Sequence, residues 1–175
     1  MIQSRRKWDL HPTEAYWFAV RTPALWEKKI AARLAAKDIE VYLPLLTKWV
    51  QYKKQAKKKV EKPLITGFVF VKIVEAEYAK VIETEGVAFF LKDAGILRAI
   101  PKEEIDWLRV VVGEDVLVQD AKFEAGQRVE IISGPYMGRQ GRLVEGRGNH
   151  RFVVNLFFLE KEMILDIPKR LLRVV

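Results

Sequence analysis

The stretch from Arg128 to Val144 constrains this chain more than any other. Two short apolar-alternating runs, Arg128-Val129-Glu130-Ile131-Ile132 and Arg142-Leu143-Val144, flank a turn rich in glycine and carrying Pro135. A period of two puts Val129 and Ile131 on one face, and Leu143 starts the return, so the spacing predicts a β-hairpin belonging to a small barrel. Gly134, Gly138 and Gly141 supply positive φ or room for close backbone approach, which a Cβ would obstruct. Further on, Arg151 to Phe158 and Met163 to Ile167 read as later strands of the same barrel. Leu171 to Val175 closes it, so the barrel runs over 122–175.

The rest of the chain has room for a second domain. With 175 residues, 50% of them hydrophobic, it can build two small cores. There is no cysteine, which excludes disulfides, thiolate nucleophiles and cysteine-held zinc or iron–sulfur sites. No apolar run approaches the roughly 20 residues of a membrane span, and Met1 to Leu10 lacks the apolar centre of a signal peptide, so a cytoplasmic protein without a membrane partner is expected. Monomer is the default. A net charge of +8 points to a polyanionic partner, nucleic acid before membrane. Part of that charge is concentrated in Lys53, Lys54, Lys57, Lys58, Lys59 and Lys62. Such a run reads equally as a solvated loop or as an arm that touches a phosphate backbone.

Residues 1–14 are read as an N-terminal extension. Tyr16 to Arg21 follows as a strand, and Thr22-Pro23 as an N-cap with proline at the first helical position. Trp26, Ile30 and Leu34 recur at helical spacing and form an inward stripe, beside which Lys29, Arg33 and Lys37 make a basic one. Ile39 to Leu43 reads as a strand stopped by Pro44, and Leu45 to Tyr52 as a second strand leading into the lysines. Phe68 to Val74 is the strongest strand. Val69, Val71 and Ile73 lie on one face, Phe68 and Phe70 on the other, so both faces require cover from this chain or from a partner. Glu75 to Glu85 fits a helix with Tyr78 and Ile82 inward, ended by Gly86; Val87 to Leu91 is a further strand. Pro101 opens a helix through Val112, with Ile105, Leu108 and Val112 on one side. Charge and loss of period place a linker over 113–121, so the first domain is an α/β sandwich over 15–112.

The glycine-rich hairpin resembles the KOW motif, and the element order ahead of it is similar to the NusG family, whose N-terminal part is the NGN domain. The resemblance rests on Tyr16-Trp17-Phe18-Ala19-Val20, Trp26-Glu27-Lys28-Lys29, Val41-Tyr42-Leu43-Pro44, Pro63-Leu64-Ile65-Thr66-Gly67-Phe68-Val69-Phe70-Val71, and Gly86-Val87 ahead of Phe89. It implies an NGN-like α/β sandwich followed by a small all-β, SH3-like KOW barrel. Thr66 stands where the family phrase aromatic-Pro-Gly-aromatic has proline. The Val-Tyr-Leu-Pro stretch with its basic hairpin and Lys62-Pro63-Leu64 looks more like the specialised paralogues of RfaH and UpxY type.

The resemblance implies a transcription elongation and antitermination factor. In the family the NGN domain binds RNA polymerase through an apolar cavity, and the matching positions here are Phe68 and Phe70, with Tyr42 and Trp17 beside them. Helix residues Lys28, Lys29 and Arg33 match the face that lies near the non-template DNA of the transcription bubble. The lysines of the basic loop, Lys53, Lys54, Lys57, Lys58 and Lys59, add to that nucleic-acid set. Trp26 would stack a base only if exposed, and its spacing assigns it to the core. The KOW barrel implies a second partner, Rho or a small-subunit ribosomal protein, held around Phe157, Phe158 or Leu159.

Nothing in the sequence assembles a catalytic site. His11 and His150 fall in different domains, no phosphate-binding glycine loop opens a helix, and Glu103, Glu104 and Asp106 belong to the first turns of a helix, where negative charge offsets the macrodipole. No cofactor or metal is expected. The alternative function is that of an RNA-binding or ribosome-associated KOW protein, using the lysine loop with Arg139, Arg142 and Arg147. Its binding would be lost by roughly 0.2 M salt, as for any contact made mainly through phosphates.

Overall fold

The computed structural model describes residues 9–50, 57–112, 116–120, 126–145, 150–156, 161–167 and 171–175. The chain divides into two compact units, Met1–Asp106 and Trp107–Val175.

In the first unit, strand β1 (Tyr16–Arg21) is paired on one side with β5 (Phe68–Ile73) and on the other with the two-residue β6 (Phe89–Phe90); β2 (Glu40–Tyr42) pairs with the far side of β5. The sheet order is β2-β5-β1-β6, with every pairing antiparallel. Helix α1 (Glu27–Ala35) packs on one face, where Ile30 and Leu34 meet Phe18, Val20, Val69, Val71 and Ile73 in a single buried cluster. Fully burying each of these side chains is worth about 1.5–3 kcal/mol. Both faces of β5 are buried, as the run of apolar residues on alternate sides requires: Phe68 and Phe70 are buried on one side, Val69 and Val71 on the other. Strands β3 (Leu45–Val50) and β4 (Lys58–Pro63) form a separate hairpin, tied at its base by the Leu64 N–H to the Pro44 carbonyl.

Several expectations are corrected here. Helix α1 begins at Glu27, because Thr22 is claimed by the sheet: its N–H goes to the Gly67 carbonyl and its hydroxyl to the Pro23 carbonyl, so it caps nothing. Pro23 to Trp26 then forms a turn with Leu25 at φ 70°. Trp26 consequently stands outside the core, 41% exposed at the N-cap. The expected helix over 75–85 is a 3-10 turn (Glu75–Glu77) continued by a short α2 (Tyr78–Ile82), and its fully buried residue is Val81, with Tyr78 and Ile82 half-buried beside the cluster. The described part of the N-terminal segment is built into the first unit: Leu10 is buried in the cluster, and Asp9 bonds the backbone of Leu97 and Ala99.

Helix α3 (Lys102–Val111) follows, burying Ile105, Trp107, Leu108 and Val111. The second unit is a six-stranded antiparallel sheet of order β12-β8-β9-β10-β11-β7. Its members are β7 (Val116–Asp120), β8 (Gln127–Ile131), β9 (Gln140–Glu145), β10 (His150–Leu156), β11 (Lys161–Asp166) and β12 (Leu172–Val174). The glycine-rich hairpin forms between β8 and β9, with Val129 opposite Gly141 and Gln127 opposite Leu143; Gly134 and Gly138 take positive φ in the turn, while Gly141 lies inside β9. Among the described residues no pairing joins β12 to β7, the two edges. The span 113–121, expected as a linker, contains β7, which pairs with β11 from Val116 opposite Leu165 to Asp120 opposite Lys161. Its apolar start, Val116-Leu117-Val118, with two β-branched valines, suits a strand.

Candidate functional site

Directly opposed residues of an antiparallel pair project to the same face. Register therefore sorts the second face of the first sheet without ambiguity. Phe70 is opposite Ala19 and Tyr42, and Arg21 is opposite both Phe68 and Phe89. Tyr42 stacks on Phe70 with ring centroids 6.1 Å apart, and Trp17 meets Tyr42 edge-on at 6.4 Å. The four aromatic candidates are thus gathered on one face. Trp17, Phe68 and Phe70 are buried, at 4%, 5% and 0% exposure, and Tyr42 is half-buried on the edge strand. They form the floor of this face, and what stands above it at one end is Arg21, whose guanidinium lies 4.8 Å over the Phe68 ring.

Gly67 sets that end. Its φ of 79° is the left-handed conformation, and a Cβ there would come within 2.7 Å of the Arg21 Nη1. Its N–H donates to the Glu27 Oε1 at 2.7 Å and its carbonyl accepts from Thr22. Glu27 is only 1% exposed, so a buried carboxylate on the first turn of α1 pins the turn that delivers Phe68. Phe89 extends the row beyond Arg21 and is 52% exposed. It was not among the sequence candidates, although the alternation around an inward Phe90 already sends it outward.

The cations of α1 are divided between neighbours. Lys28 pairs with Glu61 of β4 at 3.2 Å, and Glu61 is also 3.8 Å from Lys59. Lys29 sits 4.5 Å over the Trp26 ring. Arg33 is taken up by the turn after α2, bonding both the Glu85 carboxylate and its carbonyl at 2.8 Å. Lys57, Lys58 and Lys59 are exposed. The structure thus brings Lys28 and Lys59 to the same carboxylate and directs Arg33 elsewhere. Lys53 and Lys54, and likewise Phe157, Phe158 and Leu159, lie outside the described residues. Among the described residues no cluster of histidine and acidic side chains is placed to hold a metal ion, and no helix is long and apolar enough to cross a membrane. The hydrogen bond to Glu14 holds the Tyr16 phenol above its ordinary range.

Residues 15–109, the span holding the four-stranded sheet and this face, match the family model described as transcription termination factor NusG. The chain belongs to the NusG family. It is similar to the transcription termination/antitermination protein NusG of Streptococcus pyogenes serotypes M3 and M1, at 28% identity over 157 residues, covering 81% of this chain and 87% of the relative. It also shares the fold of a solved structure titled "Domain interaction in Thermotoga maritima NusG", with a TM-score of 0.62 at 19% identity, covering 94% of this chain and 99% of that one. NusG-family membership makes the chain a transcription factor with an NGN-like N-terminal fold.

Proposed function

We propose that this chain is an elongation and antitermination factor that binds RNA polymerase through the aromatic face of its NGN-like domain, over 15–112. Bound there it keeps the enzyme processive, and a KOW-type, SH3-like barrel over 122–175 recruits a second partner, Rho or a small-subunit ribosomal protein. The observation that carries this reading is the family match across 15–109, because that span contains the whole four-stranded sheet on which Trp17, Tyr42, Phe68 and Phe70 converge. Buried aromatic rings give such a face its shape, and the half-buried Tyr42 gives it a surface for contact. Lys28, Lys29 and the exposed lysines of β4, with Trp26 available for stacking, supply the contact to non-template DNA. The protein acts as a cytoplasmic monomer, and the basic hairpin supports a specialised paralogue of RfaH or UpxY type.

Retention of purified core RNA polymerase by the full chain at moderate salt tests this reading. Binding that survives 0.2 M salt is expected, since the face is apolar. Failure to bind either core enzyme or an assembled elongation complex would refute it, and binding to free RNA that vanishes at that salt would transfer the function to the RNA-binding alternative.

A further inference from the structure

Arg21 is out of keeping with the face it occupies. Among the described residues no carboxylate pairs with it, it is half-buried, and it lies between the buried Phe68 ring below and the exposed Phe89 beside it in the row. Several other cations of this unit do meet a carboxylate: Lys28 with Glu61, Arg33 with Glu85, Lys72 with Glu40, Arg98 with Asp9. A guanidinium presents a planar fork of N–H donors, suited to the two oxygens of one carboxylate.

We infer that Arg21 and Phe89 form the recognition point of this face for a protein partner that presents a carboxylate beside an apolar side chain. The inference rests on the polymerase-binding reading and names the chemistry the polymerase surface must offer. Arginine next to an exposed aromatic, over a packed floor, is the composition of an interface hot spot. A nucleic-acid phosphate fits less well. Phosphate chains are held by several cations in succession, and described lysines lie together around Glu61 and at Lys37 and Lys80, whereas Arg21 has aromatic neighbours. Arg21 also selects among partners. An apolar element without an acid would have to desolvate the guanidinium without replacing its hydrogen bonds, which disfavours it.

The test measures affinity of the full chain for nucleic-acid-free core RNA polymerase, comparing the native sequence with Arg21→Met and Phe89→Ser. Methionine keeps an apolar, polarizable cover on the Phe68 ring while removing the charge, and Phe89 is exposed, so both variants should retain the native melting temperature. At least about tenfold weaker binding is expected for each, with a shallower salt dependence for Arg21→Met. Lys80→Met, on the exposed surface of α2, should bind this nucleic-acid-free enzyme as the native chain does. Native-like binding by Arg21→Met would overturn the inference and leave the polymerase reading standing. A loss for Arg21→Met that appears instead in binding to free oligonucleotides, with polymerase affinity unchanged, would assign Arg21 to phosphate and overturn it too. Absence of binding by the native chain itself would overturn both readings together.

Discussion

Glu27 shows how one side chain fixes the aromatic face. Its buried carboxylate accepts the Gly67 N–H, tying the start of α1 to the turn that launches β5. Replacing it with alanine leaves that donor without its partner, at a cost of about 1–3 kcal/mol. Urea unfolding should therefore show a clear loss for Glu27→Ala and a smaller one for Glu27→Gln, which keeps an acceptor; equal stability of Glu27→Ala and the native chain would contradict the role. Trp26→Ala should change stability by no more than about 0.5 kcal/mol, because the ring is exposed and carries Lys29 over its face. Spacing alone put Trp26 in the core, since i, i+4 and i+8 with Ile30 and Leu34 is the mark of one helix face. The sequence carries no sign that Leu25 takes φ 70° or that the sheet claims Thr22, and those two facts turn Trp26 outward. Phe89 was within reach of the same reasoning. Once Phe90 is inward, its neighbour on a strand must face the other way.

Ion pairs between elements divide by burial. Lys28 and Glu61 join α1 to the β3–β4 hairpin at the surface, with side chains 48% and 40% exposed, so Lys28→Met should cost less than about 1 kcal/mol. Arg142 and Glu162 join β9 and β11 across β10 at 2.8 Å, with side chains 16% and 4% exposed. Removing Glu162 leaves a partly buried guanidinium without that partner, and Glu162→Ala should cost about 3–5 kcal/mol, read as a lowered urea midpoint. The strands with a sustained period, β5 above all, and the β8–β9 hairpin were legible because local pattern and tertiary pairing agree. The strand β7 was not. It is five residues long, sits among charges, and is defined by its distant partner β11, information that no local window contains. A fragment spanning Trp107–Val175 should accordingly give a β-rich circular dichroism spectrum and a cooperative melt, whereas one starting at Lys122 lacks β7 and should melt at lower temperature. Identical melts would remove β7 from the second unit.

At the scale of the whole molecule, the order of the two units and the family match describe a transcription factor built from an NGN-like sheet and a second, all-strand sheet preceded by the end of α3. Among the described residues, lysines gather at α1 and β4, while the aromatic face carries Arg21 beside Phe89 and a Lys72 paired with Glu40. That separation predicts two kinds of contact with different salt responses, an apolar one to protein and an ionic one to nucleic acid. The most direct measurement is single-round transcription by RNA polymerase through a pause site and a terminator, with and without the purified full chain. The account predicts shorter pauses and greater read-through when the chain is present. Unchanged pausing and termination at saturating protein would contradict it.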